Sequence, residues 1–413
     1  MAQVNITLSN EEVVEVLTGN RDDAMKFLLT KVLNEVMRAE SEDQVGAARH
    51  ERTEDRHDYR NGTRERELNT RIGTLTLSVP RHRIEPFHTM VFENYQRSEA
   101  ALIATMVEMV VMGVSSRKVE KVVETLCGTS FSKSTVSELC KRLDTDIDTF
   151  RNRPIDFREA PFLMLDATYF KVREDHVVKS KAFLVALAFK PNGKREVIGF
   201  DVFDAEENFS WSAFLYSLKS RGLSDVRMVI SDSHKSIRKS VAEENPEAAW
   251  QRCQAHFQRN IMDNVPNKYK EALSCELRKV FDASSLEEAR NAKDSIVSEY
   301  SDVAGKAIET LEAGFEDSVT VMCMPDSMRK KLRTTNILER LNRELKRRSD
   351  AIQIFPNQES VLRLMGAVTI EISNAFMSGN SMYATNSLEN MRKTVFPQLR
   401  IVAVNQLTLL KTA

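Results

Sequence analysis

Between residues 160 and 203, three apolar, β-rich runs follow one another almost without pause: APFLMLDATYFKV, KAFLVALAF and EVIGFDVF. FLML is apolar on both faces, so it belongs in the middle of a covered sheet. Phe209 to Arg221 then has helical spacing behind the capping candidate Asn208, and VRMVISD reads as a fourth strand. A helix near Lys235–Glu244, a short fifth strand in AAWQRC and a helix from Gln254 complete the pattern. Three close strands followed by alternating helix and strand predict an α/β fold with a mixed five-stranded sheet.

The rest of the chain constrains less. With 413 residues, two to four units are expected. Only 13 glycines and 10 prolines favour helices over a many-turned all-β fold. Five scattered cysteines, odd in number and without a CxxC pair, speak against a disulfide framework or a cysteine zinc site. The opening MAQVNITLSNEEVVEV lacks a basic region followed by an apolar stretch, so no signal peptide is expected. AALIATMVEMVVMGV is too short for a bilayer and reads as a buried helix. Nothing points to a membrane, and a reducing, cytoplasmic setting fits.

The net charge of -1 hides two opposed blocks. Residues 271–317 hold 12 acidic and 5 basic side chains; residues 329–348 hold 9 basic and 2 acidic. The basic block is a candidate phosphate-facing surface.

In the N-terminal part, residues 10–40 read as helix, with Asn10 as cap and Glu11 and Glu12 in the first turn. Residues 41–70 are polar, and Asn61-Gly62 is a turn signal. RIGTLTLSVPRHR alternates as a strand that Pro80 should stop. A helix-turn-helix is expected at about 112–143, with Ser115 or Ser116 capping one helix, Gly128 ending it, and Ser132 or Ser134 capping the next. Arg117, Lys118, Lys133 and Ser134 are its candidate DNA contacts. The resulting divisions are 1–44 (helical), 45–153 (DNA-binding region), 154–266 (first part of the α/β domain), 267–330 (helical, without a convincing strand) and 331–413 (remainder with C-terminal helices).

Asp166 directly follows FLML and Asp232 stands at the carboxyl end of VRMVIS; ligands of open α/β sheets gather at such strand ends. Either alone reads equally well as a loop-capping aspartate. Glu339 lies in KLRTTNILERLNRELKRRSD, where Thr334 or Thr335 can cap a helix and Leu338, Leu341 and Leu345 form its inward stripe. Asn336 and Asn342 flank the acid, and Arg340, Arg343, Lys346, Arg347 and Arg348 supply candidate phosphate contacts. Three carboxylates suit two hard divalent cations, which prefer oxygen ligands and retain water. Such a pair supports phosphoryl transfer. CQAH, with Cys253 and His256, reads either as half a zinc site or as a packing cysteine with a hydrogen-bonding histidine. Trp250 before it reads as a base-stacking or a core residue. Phosphate-loop, dinucleotide, nucleophile-elbow and HExxH signatures are missing.

In order, the blocks YRNGTRERELNTRIGTLTLSVPRHR, GVSSRKVEKVVE, LDATYFKVRE, VISDSHKSIRKSV, WQRCQAHFQRN and TTNILERLNRELKRR resemble the bacterial Mutator-like transposases of insertion sequences. The resemblance covers nearly the whole chain. It implies an RNase H-like catalytic core carrying an all-helical insertion, preceded by a mainly helical region at about 45–150 that binds terminal inverted repeats. It implies an Asp-Asp-Glu triad at Asp166, Asp232 and Glu339 using two Mg²⁺ ions, for which Mn²⁺ can substitute. It makes Cys253 and His256 supports of the fold, not metal ligands. It also implies action on repeat and target DNA as a homodimer or larger assembly, associated with the nucleoid. From the residues alone, a non-catalytic helix-turn-helix regulator and an RNase H-like nuclease or resolvase remain alternatives.

Overall fold

A computed structural model describes residues 8–18, 21–48, 51, 53, 56–70, 72–89, 91, 100–127, 131–157 and 159–412. The chain forms two compact units, Met1–Arg142 and Leu143–Ala413.

The first unit opens with α1 (Asn10–Thr18) and α2 (Arg21–Val45), two helices where one was expected. The cap of α1 is Ser9, not Asn10. Its hydroxyl accepts the Glu12 N–H, and the Glu12 carboxylate accepts the Ser9 N–H at 2.7 Å, a reciprocal capping box. Next come β1 (Arg60–Thr70) and β2 (Gly73–His82), an antiparallel hairpin. Two expectations fail here. Asn61-Gly62 does not turn the chain; it lies within β1 at an irregularity in the pairing, where Gly62 has φ of 76°. Such a bulge needs the left-handed conformation that glycine adopts freely. Nor does Pro80 stop β2, which runs two residues further on a ribbon that, among the described residues, has no third strand to receive the missing N–H. Leu68, Leu75, Leu77 and Val79 pack on Met37 of α2.

The helices α3 (Ala100–Val111), α4 (Ser116–Cys127) and α5 (Lys133–Cys140) share a small core of Met106, Val119, Val123, Phe131 and Val136. Ser132 caps α5 by accepting the Thr135 N–H. Gly128 lies outside the described residues.

The second unit begins with α6 (Leu143–Asn152). Its sheet contains β3 (Phe162–Glu174), β4 (Val177–Phe189), β5 (Arg195–Phe203), β6 (Met228–Ser231) and β7 (Ala249–Arg252). The order is β5-β4-β3-β6-β7: the first three are antiparallel, and β6 and β7 run parallel to β3. The mixed α/β sheet is thus as expected, with one addition: the two-residue strand β8 (Ile354–Phe355) joins β3 at Lys171 and Val172.

Of the intervening helices, α7 (Asn208–Ser220) and α8 (Lys235–Glu244) cover one face. Trp211, Phe214, Leu215, Leu218, Ile237 and Val241 meet Leu163, Leu165, Leu184 and Ile198 there. The run 254–332 is helical: α9 (Gln254–Asp263), α10 (Lys270–Phe281), α11 (Leu286–Tyr300), α12 (Gly305–Ser318) and α13 (Asp326–Leu332). These helices build a core of their own around Phe257, Leu277, Ile296, Leu311 and Phe315. α14 (Asn336–Ser349), α15 (Gln358–Ser378), α16 (Thr385–Thr394) and α17 (Phe396–Thr412) complete the unit. α15 lies so close to β5 that a Cβ at Gly366 would stand 2.8 Å from the Phe200 ring. Among the described residues, no helix is long and apolar enough to cross a membrane.

Candidate active site

The sheet opens at one point. β6 pairs with β3 only from Phe162 to Met164, and β8 joins only at Lys171. Between them one edge of β3 has no strand partner, and Asp166 stands in that gap. The expectation that Asp166 ends its strand is therefore corrected: β3 continues to Glu174, and it is the neighbour that ends. The parallel pairing ends at Met164 and Ile230, two residues short of Asp166 on one strand and of Asp232 on the other, and the charge of Asp232 reaches the Asp166 carboxyl. Adjacent strands lie about 4.8 Å apart. Two acids 66 residues apart in sequence (166 and 232) are thus brought near each other where the two paired strands separate.

The third acid arrives on α14. Thr335 is its N-cap residue, but the hydroxyl caps nothing. Instead, the Thr335 N–H and Oγ1 both donate to Cys253 Sγ at 3.3 Å. Cys253 is itself the N-cap residue of α9. One turn into each helix, His256 Nε2 lies 3.5 Å from Glu339 Oε1. The Cys-x-x-His spacing on one helix thus matches Thr-x-x-x-Glu on the other. In this structure the motif links two helix starts, Cys253 accepting from Thr335 and His256 lying beside Glu339.

Electrostatics follow from this crowding. Burial, reinforced by the charges of Asp232 and Glu339, pushes the Asp166 carboxyl up from 3.8 to about 7. Contact with Cys253 and the nearby carboxylates raises His256 to about 9, against the effect of its burial. The Cys253 thiol is lowered: burial alone would raise it, but hydrogen bonding to His256 and Thr335 outweighs that. Asp166 Oδ1 accepts the Ala167 N–H at 3.0 Å, and Oδ2 accepts from Asn342 Nδ2 at 2.9 Å. Asn342 Oδ1 and Glu339 Oε1 are buried without a hydrogen-bond partner among the described residues. No three His, Cys, Asp or Glu side chains among the described residues are grouped closely enough to hold an ion by themselves.

The other expected site residues separate into groups. Trp250 is a core residue: it is buried, and its indole N–H donates to Ser231 Oγ at 2.9 Å. Its backbone N–H and C=O both bond the side chain of Gln406 on α17. Asn336, Arg340 and Arg343 form the exposed side of α14, where no ion-pair partner of either arginine is found among the described residues. Lys346 donates to the Tyr169 carbonyl and lies 4.7 Å from the Phe170 ring centre. Arg347 pairs with Glu344 on the surface. Arg348 is buried between Glu344 and Glu371, which neutralise it, so the expected phosphate contact gives way to an interior ion pair. In the first unit Arg117, Lys118, Lys133 and Ser134 are all exposed.

One contact went unread in the sequence. Tyr169 donates to Glu206 at 2.7 Å, and Asp232 adds to the upward shift of the phenol that burial and Glu206 begin. Its only sequence signal is its place three residues after Asp166.

Comparison with known proteins identifies the family. Residues 1–379 match the family described as "Transposase, Mutator family". The chain is 40% identical over 386 residues to the transposase for insertion sequence element IS256 in transposon Tn4001 of Staphylococcus aureus, covering 93% of this chain and 99% of that one. It is 40% identical over 388 residues to the transposase for insertion sequence element ISRM5 of Rhizobium meliloti, covering 94% and 96%. Over 393 residues it is 33% identical to the transposase for insertion sequence element IS1081 of Mycobacterium tuberculosis, covering 95% of each. The chain belongs to the Mutator family of transposases.

Proposed function

We propose that this transposase cuts the ends of its own insertion sequence and joins them to target DNA, with Asp166, Asp232 and Glu339 as its catalytic carboxylates. The observation that carries the assignment is the convergence on Asp166. A buried carboxyl, held up to about 7, feels both other acids although they come from a different strand and a helix. A functional site is where such an unfavourable grouping persists.

The strand order supports an RNase H-like core, with three antiparallel strands followed by two parallel ones. The helical run before α14 is then its insertion. The donor set also suits two divalent cations, Mg²⁺ or Mn²⁺. It offers carboxylate oxygens, and among them is the buried Oε1 of Glu339, which makes no hydrogen bond and has only the 3.5 Å approach of the His256 imidazole. Bound there, such ions lower the pKa of an attacking water or 3′-hydroxyl and neutralise the leaving oxygen. Asp166, Asp232 and Glu339 would be the residues that hold them. Asn342 fixes which way the Asp166 carboxylate faces, and His256 does the same for Glu339. Arg340 and Arg343 on the outer face of α14, with Lys346, Arg347 and Asn336, meet the phosphates of the DNA brought to the carboxylates.

Recognition of the terminal inverted repeats falls to the first unit, through Arg117, Lys118, Lys133 and Ser134 of the α4–α5 pair. Pairing two ends calls for a homodimer or larger assembly on DNA. The setting is the cytoplasm, at the nucleoid through DNA.

The test is strand cleavage and joining on duplexes bearing the element's ends, with Mg²⁺ or Mn²⁺. Asp166→Asn, Asp232→Asn and Glu339→Gln are each expected to abolish both steps while leaving end binding intact. Full activity in any of them sinks the assignment.

A further inference from the structure

The β1–β2 hairpin shows an anomaly of pattern. Residues directly opposite on paired strands share a face. Arg64 pairs with Val79 and Arg66 with Leu77, so both arginines occupy the face that carries Leu68, Leu75, Leu77 and Val79. Arg81, two residues after Val79, occupies it too. The face that should be core is apolar over half its length and cationic over the rest. A hairpin needing only solubility would put charge on the opposite face, where Glu65 and Glu67 already stand.

The cationic half borders an open trough of about 700 Å³, walled by Arg64, Arg66, Arg81, His82, Phe87 and His88, with Glu65 as the one acid at its rim among the described residues. Its far wall is held in place. The Asp58 carboxylate accepts the N–H groups of Tyr59, Ile84 and Glu85, which clamps the exit from β2. His82 bonds Ser41 Oγ at 2.8 Å and meets the Phe87 ring edge-on at 5.4 Å. Arg64 and Arg81 are exposed, and no ion-pair partner of either is found among the described residues. As diagonal neighbours across the ribbon, their Cβ atoms lie about 7–8 Å apart. That spans roughly two phosphates of one strand, at about 3.4 Å of helix axis each.

We infer that this trough is a second DNA contact of the first unit, separate from the α4–α5 pair, and that it grips the phosphodiester backbone through Arg64 and Arg81. The inference rests on the end-binding role proposed above. It assigns no base reading to the hairpin: the cations meet a phosphate strand, which carries no sequence information directly.

The experiment is fluorescence anisotropy of a labelled duplex bearing one element end, and of a scrambled duplex, titrated with the full chain at several salt concentrations. The variant is Arg64→Gln with Arg81→Gln, which keeps most of each side chain's length. Losing two phosphate contacts should flatten the slope of log K against log salt by about 1.8. Near 0.15 M salt the same counterion term is worth about 5-fold per contact, hence about 30-fold weaker binding. The loss should be equal on both duplexes, and Arg64→Lys with Arg81→Lys should restore most of it. Lys133→Ala with Ser134→Ala should instead weaken the end duplex more than the scrambled one. Wild-type affinity and slope in the Gln variant overturn the inference while leaving end binding standing. If the wild-type chain binds neither duplex, the end-binding reading falls and takes the inference with it.

Discussion

Asn342 is the residue on which sequence and structure disagree most usefully. By position it is one of several polar groups around Glu339 that would face DNA. In the fold its amide donates to Asp166 Oδ2 at 2.9 Å, and its Oδ1 is buried. The two roles predict different losses. In Asn342→Leu, which keeps the branching and the number of heavy atoms but is bulkier, Asp166 loses the Asn342 amide that donates to it. A hydrogen bond to a charged acceptor is worth about 1.5–3 kcal/mol. If that energy is realised in the transition state, single-turnover cleavage of an end duplex should slow by roughly 10- to 150-fold. Affinity for the duplex and the salt slope should not change, because the amide is already committed to Asp166. Asn342→Asp is the harsher case: a second carboxylate within hydrogen-bond distance raises Asp166 further, so the cleavage pH profile should move to higher pH. A leucine variant that cleaves at the wild-type single-turnover rate but binds the duplex more weakly at every salt concentration, with an unchanged slope because an amide carries no charge, would refute the positioning role and restore the DNA contact.

Two further outcomes follow from the same geometry. Because the folded Asp166 carboxyl sits at about 7 against an ordinary 3.8, its burial opposes folding above that pH and ceases to do so as pH falls through that range toward 3.8. A divalent cation must displace that proton below pH 7, so affinity should rise about tenfold per pH unit up to 7 and then level off. Calorimetry or Mn²⁺ titration at pH 6 and pH 8 checks this, and equal affinities would count against Asp166 as a ligand. In the helical run, a Cβ at Gly314 would stand 2.1 Å from Arg252 Nη1 and 2.6 Å from the Phe257 ring. Gly314→Ala should therefore destabilise the second unit by about 1–3 kcal/mol, read from its denaturation midpoint; an unchanged midpoint would show that Arg252 can move aside.

What could be read in advance depended on whether a residue's neighbours were its own element or another. β3 to β7 were legible because each carries a run of buried residues, FLML in β3, AFLVALAF in β4 and EVIGF in β5 among them. β1 was not. Its shared face begins with Arg64 and Arg66, its other face carries Glu65 and Glu67, and the Asn-Gly inside it imitates a turn. The full length of β3 was obscured because its pattern changes at Asp166. Before that point every residue is buried; beyond it Phe170 and Val172 are buried while Tyr169 and Lys171 are not. On α14 the stripe of Leu338, Leu341 and Leu345 was legible, and its next position is Arg348. The spacing alone places that arginine inward, a signal that its charge concealed. No comparable signal exists for Asn342, because a helix's own pattern says which side a residue faces but not which strand approaches it.

The three carboxylates are held by three unlike devices, and this explains why their support is spread so widely along the chain. Asp166 is fixed by strand pairing with β4 and by the Asn342 amide. Asp232 hangs from the end of β6, where Ser231 is gripped from both sides: its hydroxyl takes the Trp250 indole N–H, and its carbonyl takes the Cys253 N–H at 2.7 Å. Glu339 depends on the clamp between two helix starts, Cys253 to Thr335 and His256 to Glu339. The segment from Trp250 to His256 therefore serves two acids at once, through its indole and backbone for Asp232 and through its thiol and imidazole for Glu339. That double duty gives a physical reason for a Trp, a Cys and a His within seven residues of one another, each through a different contact.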